Sequence, residues 1–269
     1  MMRGSIFRCG SLRLGWHRAT RLATSWKRPG ESRGYASKKD DDEDHWLAKY
    51  FPNQEEWTLK QAEAWWHKGL GDLMRSDQRL SANAELVLET VRSRYEEVYS
   101  RNQGLLTDSR SRTHLQQAAL AVSTYKTLKP WLGDQGEAIE ILGKLMGTES
   151  TAILNGMQKL AMFMSRDKFA MVSRRLRLLK LDYGKSFDID FEENDGGDAC
   201  TLTVNRCFYA SPGGIFDQES CPELAAATCC SIDKLWFEGC LDENGNIKFS
   251  RQSTIAGGDK ACVLRLEKT

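Results

Sequence analysis

The sequence lacks a long hydrophobic run, since its longest uninterrupted apolar stretches, residues 118–122 and 160–164, have five residues each. A membrane-spanning helix needs about 20 such residues, so no transmembrane segment is predicted. The sequence also lacks a Cys-x-x-Cys pair, which zinc sites usually contain, and its four histidines all precede the region where the cysteines cluster. A P-loop, a dinucleotide fingerprint and a Ser/His/Asp set are absent too. We therefore expect neither a metal nor a cofactor.

Acidic residues are missing before Glu31, whereas the same stretch holds seven lysines and arginines among serines, threonines and leucines. A secretory signal would need an apolar core of about 7–15 residues, and none is present. The composition is typical of a mitochondrial transit peptide, and Arg33 is well placed for cleavage after Tyr35. We predict a transit peptide at 1–35 and a mitochondrial, matrix location. A plastid address or a disordered basic tail are the alternatives.

Loss of residues 1–35 would remove eight of 38 basic and one of 37 acidic side chains, which leaves 30 against 36. Binding to a phosphate backbone depends on a basic surface, so a nucleic-acid partner is not expected. A matrix location keeps most thiols reduced, which argues against a disulfide scaffold.

The remaining chain is expected to contain a charged linker at 36–54, a helical, tryptophan-rich extension at 55–110 and an α+β domain at 111–269. Tryptophan is enriched in cores and interfaces alike. The tryptophans of the first two segments therefore pack on their own domain or contact a protein partner: Trp46, Trp57, Trp65 and Trp66.

Apolar residues recur with helical spacing over 84–98, 115–125 and 139–146. Lys129-Pro130 is expected to interrupt the second helix, and a long fourth helix is predicted from Thr151 to Leu181. From residue 186 the period changes to two. A hairpin turn at 194–197 leads to a return strand at 200–209, and further strands follow near 246–255 and 261–267. The pattern predicts an α+β fold in which an N-terminal helical region packs with a C-terminal four-stranded antiparallel sheet and one cysteine-bearing helix.

Seven of the eight cysteines lie between Cys200 and Cys262. One helix in this region is predicted to start with a capping box of Ser220 and Glu223, and it would place Cys230 and Asp233 on one face at i, i+3. Cys200, Cys221 and Cys240 have the character of small hydrophobic core residues.

Arg251 alternates with Ile247, Phe249 and Ile255 on one face of a predicted strand. A guanidinium in an apolar row needs a partner, because burying a lone charge is very costly. That partner is Asp233, Asp259 or the carboxylate of a ligand, which the forked guanidinium can hold through both oxygens.

Five elements of this region resemble the L-2-amino-thiazoline-4-carboxylic acid hydrolase family. They are Cys207-x-Tyr209, Pro222-Glu-Leu, Cys230-x-x-Asp233, Phe249-x-Arg251-x-x-Thr254 and Gly258-Asp259-x-x-Cys262. The strong similarity covers residues 200–266, and a weaker one reaches back to about residue 110.

The resemblance implies a hydrolase that opens the ring of 2-amino-thiazoline-4-carboxylate to N-carbamoyl-cysteine. It implies Cys207 or Cys230 as nucleophile, Asp233 as base or as partner of the substrate ring, and Arg251 as the group that holds the substrate carboxylate. Tyr209, Asp259 and Cys262 would complete the substrate site. A shared pocket requires a bulge or a two-sided sheet, since a regular strand would place Cys207 opposite Val204. The alternatives are a non-catalytic structural or assembly subunit of a mitochondrial complex, and a thiol redox or metal-binding module.

Overall fold

The computed structural model describes residues 54–148, 165–228, 230 and 246–269. These residues belong to one compact unit, Gln54–Thr269. The predicted transit peptide, the charged linker up to residue 53 and Trp46 lie outside the described residues. Among the described helices, none is both long and apolar enough to cross a membrane.

The helices come first along the chain, and the strands follow. The long helices are α1 (Gln54–Ser76), α2 (Ala84–Arg101), α3 (Ser109–Leu132), α4 (Gln135–Thr148) and α5 (Lys168–Tyr183). The second part contains β1 (Asp188–Glu193), β2 (Ala199–Arg206), the short helices α6 (Ile215–Gln218) and α7 (Glu223–Ala227), β3 (Ile247–Ser253) and β4 (Cys262–Lys268). The predicted α+β fold is confirmed.

Helix α3 is the central element, because it contacts α1, α2, α4 and α5. Its sequence carries many small side chains, and most of its residues from Ser111 to Leu128 are buried. Asp108 caps the helix by accepting a hydrogen bond from Ser111 N at 2.8 Å. The Ser111 hydroxyl in turn accepts from Asp108 N, which completes a capping box.

The expected break at Pro130 is wrong, since α3 continues to Leu132 with the proline inside it. Pro130 lacks only its own N–H, and it lies in the last turn, where few further helical bonds depend on it. Gly133 then ends the helix in the left-handed region with φ 69°, and its N–H donates to Lys129 O.

The predicted helix from Thr151 to Leu181 is wrong in its described part. Asp167 is the N-cap of α5, and its side chain accepts from Ala170 N at 2.9 Å. Helix α5 therefore begins at Lys168, and Ser165–Asp167 are not helical. Residues 149–164 lie outside the described residues. A capping aspartate outweighed the apolar periodicity from which the longer helix was predicted.

The four strands form an antiparallel sheet in the order β1-β2-β4-β3. Its inner face packs on the helices and continues their hydrophobic core. The buried side chains of this face are Ile189, Cys200, Leu202, Val204, Ile247, Leu264 and Leu266. Arg251 is aligned with Leu264 across β3 and β4, so it extends this apolar row as predicted.

The predicted capping box of Ser220 and Glu223 is wrong. Pro222 occupies the N-cap position of α7, and no side-chain cap hydrogen bond forms there. Ser220 adopts a positive φ of 55°. The Glu223 carboxylate instead accepts a hydrogen bond from the hydroxyl of Tyr125 on α3. Packing against the central helix thus determines the role of Glu223.

A second polar contact joins the same segment to the helices. Glu219 is almost fully buried, and it accepts hydrogen bonds from Arg101 Nη2, Asn102 Nδ2 and Lys126 Nζ at 2.8, 2.6 and 2.7 Å. We call these four residues the Glu219 cluster. Burial would raise the pKa of Glu219, but the hydrogen bonds outweigh it and lower the pKa to about 2.

Candidate active site

A cavity of about 130 Å³ lies between helix α3 and the inner face of the sheet. An engineered protein cavity of roughly 150 Å³ holds a benzene molecule, so this space suits a small molecule. The cavity is lined by His114, Gln117, Tyr183, Phe187, Val204, Cys207, Tyr209, Cys230, Arg251, Thr254, Cys262 and Leu264.

Five of the seven residues that the sequence suggested for the site line this cavity, namely Cys207, Tyr209, Cys230, Arg251 and Cys262. Asp259 is exposed in a turn and is not among the lining residues. Asp233 lies outside the described residues. The structure therefore brings the three thiols, the tyrosine and the arginine together, while their catalytic roles stay predictions.

The expected return strand to Tyr209 is wrong, since β2 ends at Arg206. The pairing of β1 with β2 shifts at Asn205, where a bulge lies next to the strand end. Cys207 is therefore no longer constrained by the strand alternation that would have placed it opposite Val204. The bulge and the strand end together let the side chains of Val204 and Cys207 both line the cavity.

A tight turn fixes the Cys207–Tyr209 segment after β2. Cys207 N donates to Ser211 Oγ at 2.7 Å, and Ser211 N donates back to Cys207 O at 3.2 Å. Gly214 packs under this turn so closely that a Cβ there would lie 2.8 Å from both Phe208 O and Ser211 O. The turn thus requires glycine at position 214.

His114 is the main site residue that sequence reasoning missed. Its Nδ1 lies 2.7 Å from the hydroxyl of Tyr209, and the same hydroxyl is 3.5 Å from Gln117 Oε1. Both contacts are satisfied together when Nδ1–H donates to the tyrosine oxygen and the tyrosine O–H donates to Gln117. The only signal in the sequence was a histidine on the apolar stripe of α3, one residue before Leu115.

Aromatic rings hold the His114 imidazole in place. The rings of Phe187 and Tyr209 meet it edge-on, with centroids at 5.0 and 5.6 Å. Lys185 N donates to the Asp108 carboxylate at 2.5 Å, which ties the turn before β1 to the start of α3. This hydrogen bond helps to place Phe187 next to His114. Together with Tyr183 and Tyr209, these rings form a largely aromatic wall of the cavity.

Arg251 is half-buried on β3 beside a second bulge, where the pairing with β4 shifts at Gln252. Its Nη2 donates to the backbone carbonyl of Cys230 at 2.5 Å. This bond brings the Cys230 backbone next to the guanidinium. Arg251 is the one side chain with a full charge among the described lining residues, apart from any protonation of His114.

Cys262 and Thr254 are positioned by the turn between β3 and β4. Ile255 N donates to Cys262 Sγ at 3.2 Å. Asp259 accepts a hydrogen bond from Thr254 N at 2.8 Å, and Gly258 adopts φ 95° within the same turn. Asp259 thus orders the turn that carries Thr254, and Thr254 lines the cavity.

The other described cysteines, Cys200 and Cys221, are fully buried away from the cavity. Burial raises the pKa of both thiols, that of Cys221 to about 12. No disulfide joins any two of the five described cysteines. Within the described residues, no three histidine, cysteine or acidic side chains lie close enough to hold a metal ion.

Comparison with known proteins identifies the family. The family model described as L-2-amino-thiazoline-4-carboxylic acid hydrolase matches residues 112–266, which is more than half of the chain. The match contains every described lining residue of the cavity. No curated protein matches the chain. The chain therefore belongs to the L-2-amino-thiazoline-4-carboxylic acid hydrolase family.

Proposed function

We propose that the protein hydrolyses a small cyclic carboxylate of the 2-amino-thiazoline-4-carboxylate type and releases N-carbamoyl-cysteine. The observation that carries the proposal is the position of Arg251, a full positive charge in a small cavity lined mainly by aromatic rings, apolar side chains and thiols. A guanidinium in such surroundings favours an anionic ligand, because a fork of N–H donors matches both oxygens of a carboxylate.

The reaction adds water to the ring carbon that lies between sulfur and nitrogen. The water oxygen bonds to this carbon and the carbon–sulfur bond breaks. One of the two water protons goes to the ring nitrogen, and the other goes to the sulfur, which leaves as a thiol. The former amidine carbon becomes the carbonyl of the carbamoyl group. Atoms and charge balance with one water per substrate, and no oxidant or reductant is needed.

The His114–Tyr209 pair provides the proton transfer that this reaction needs. Its 2.7 Å contact joins two groups that donate and accept protons, and both line the cavity. Histidine is the most frequent general acid–base residue because its pKa lies near neutrality. In our proposal the pair moves the proton of the attacking water, while Arg251 fixes the substrate carboxylate.

Nucleophilic attack by a thiol is the alternative first step. Cys207, Cys230 and Cys262 all line the cavity, and attack by any of them would give a covalent adduct on the same ring carbon. Such an adduct would be trapped by acid quenching and detected by mass spectrometry of the intact protein. Its absence at substrate turnover would assign the attack to water.

The test is to incubate the purified protein with 2-amino-thiazoline-4-carboxylate and measure N-carbamoyl-cysteine by mass spectrometry. Tyr209→Phe should lower kcat by about 10²-fold or more, which is the usual contribution of general acid–base catalysis. Tyr99→Phe is the matched control, because this half-buried tyrosine of α2 does not line the cavity. No product from the wild-type protein, or equal losses in both variants, would contradict the proposal.

A role as a structural or assembly subunit is the second candidate. Trp65 on α1 and Leu86 on α2 are 59% and 54% exposed, and both lie outside the family match. Trp66, by contrast, packs inward and donates to Thr124 Oγ1 at 3.0 Å. The native molecular size of the protein in extracts of its own cells measures this. The role would be supported if the wild-type chain occurred in a larger complex from which Trp65→Ser and Leu86→Ser released it.

We also propose a mitochondrial location, on the basis of the acid-free, arginine-rich residues 1–30. Sequencing the N-terminus of the protein isolated from organelles should give a chain that starts after Tyr35. A chain that still starts at Met1 would contradict this.

A further inference from the structure

A second cavity lies between α1 and α2, in the part of the chain that the family model does not match. Its volume is about 520 Å³. Four basic and two acidic side chains line it, namely Lys60, Lys68, Arg75, Arg92, Glu63 and Glu85. The balance of formal charge on its walls is therefore positive, which favours an anionic occupant.

His67 lies on the wall of this cavity and is 7% exposed. Both of its ring nitrogens are buried, and neither has a hydrogen-bond partner among the described residues. The nearest acidic group is Glu63 Oε1, which is 3.8 Å from His67 Nε2 and too far for a hydrogen bond. Buried polar groups of this kind are rare, because a buried nitrogen that stays unsatisfied destabilises the fold.

The basic residues of the cavity differ in their partners. Arg75 is paired with Asp72 and Glu85, and Lys68 is paired with Asp72. Arg92 makes no ion pair with any described side chain, and its charge acts on His67. Arg92 and His67 thus both carry nitrogen atoms for which the described residues provide no hydrogen-bond partner.

We propose that this cavity is a binding site for a small oxyanion, a phosphate or carboxylate group, which the Arg92 guanidinium binds next to the buried His67 imidazole. Arginine binds such groups through two parallel hydrogen bonds. The site lies outside the hydrolase cavity, so it does not depend on the reaction proposed above.

The charge of the anion would also change the state of His67. Burial and, after it, the Arg92 charge lower the pKa of His67. An anion between the two groups would offset the effect of Arg92 and favour the doubly protonated ring. The Glu63 carboxylate, whose Oε1 lies 3.8 Å from Nε2, would also stabilise the doubly protonated ring.

The test is to titrate the full chain with inorganic phosphate, and separately with succinate, while following the ¹⁵N signals of the His67 ring by NMR. A His67→Gln variant assigns these signals. The proposal expects that millimolar phosphate, succinate or both shift the ring nitrogens towards the protonated form. A response to one anion alone identifies the oxyanion class that the site takes. No shift with either anion would overturn the proposal.

Arg92→Gln should weaken the binding by about tenfold or more, the equivalent of one charge-assisted hydrogen bond. Arg75→Gln is the matched control, because this arginine lines the same cavity but is already paired. It should change the affinity less than about twofold. Equal losses in the two variants would show that binding follows the general surface charge, and the proposed site would be wrong. Both arginines are exposed, so both variants should fold.

Discussion

Arg251→Lys should weaken substrate binding strongly and leave the fold intact. The Nη2 group of the guanidinium donates to Cys230 O at 2.5 Å, and the guanidinium fork matches both oxygens of a carboxylate. Lysine keeps the charge but has a single donor centre, so it cannot serve the carbonyl and both carboxylate oxygens. The loss of one charge-assisted hydrogen bond is about 1.5–3 kcal/mol. That loss corresponds to a roughly 10- to 100-fold rise in Kd.

A thermal-shift titration with 2-amino-thiazoline-4-carboxylate measures this change, because a ligand that binds only the folded state raises Tm by an amount that grows with the ratio of its concentration to Kd. We expect a clear rise for the wild-type protein, a much smaller one for Arg251→Lys, and similar Tm values without ligand. Arg265→Lys is the matched control, since this arginine of β4 pairs with Glu267 and does not line the cavity. A variant that loses stability without ligand would show that Arg251 serves a structural carboxylate instead. An equal rise of Tm with ligand in the wild-type protein and in Arg251→Lys would refute the proposal that Arg251 holds the substrate carboxylate.

Three further predictions concern stability and reactivity. Glu219→Gln should lower the free energy of unfolding at pH 7 by about 1–3 kcal/mol, since a partly exposed ion-pair network loses its central charge. In the wild-type protein, ionised Glu219 should stabilise the fold above about pH 4.5, and this stabilisation should be lost as the pH falls towards about 2. Acid unfolding of the wild-type protein and of Glu219→Gln measures the difference, and parallel curves of stability against pH would contradict the prediction. Gly214→Ala should destabilise by about 1–3 kcal/mol in urea unfolding, because its Cβ would meet two carbonyl oxygens at 2.8 Å, and an unchanged midpoint would show that the turn adapts. Alkylation of the folded protein at pH 8 should modify half-buried Cys262 well before Cys221, whose pKa is about 12; peptide mapping that finds the reverse order would contradict the burial of Cys221.

The fold was predictable where the chain repeats a simple period. The helical spacing located α2, α3 and α4, and the alternation after residue 186 located the sheet. Helix ends were harder to predict, because they depend on single side chains. Asp167 begins α5 later than its apolar stripe suggests, and α3 retains Pro130 because the proline falls in the last turn. Glu223 was misinterpreted because its partner, Tyr125, is 98 residues away.

The candidate site was predictable in part. Arg251 stood out because a charge in an apolar row needs a partner, and the resemblance to the family indicated Cys207, Tyr209 and Cys262. His114 could not be found in this way, because it comes from a helix almost a hundred residues earlier and reaches Tyr209 only in the folded chain. Asp259 was predicted as a substrate-binding residue, but the structure places it in the turn that orders Thr254.

The central position of α3 has a consequence for attempts to shorten the protein. The family match begins at residue 112, four residues after the N-cap of that helix. Three hydrogen bonds join α3 to α1 and α2: Gln116 Nε2 to Leu59 O, Trp66 Nε1 to Thr124 Oγ1, and Arg94 Nη1 to Thr127 Oγ1. A fragment that begins at residue 112 would lose all three hydrogen bonds and would expose an apolar face of α3 to water. The part of the molecule that matches the family is therefore not separable from its N-terminal helices, and expression trials should retain the chain from Gln54 onward.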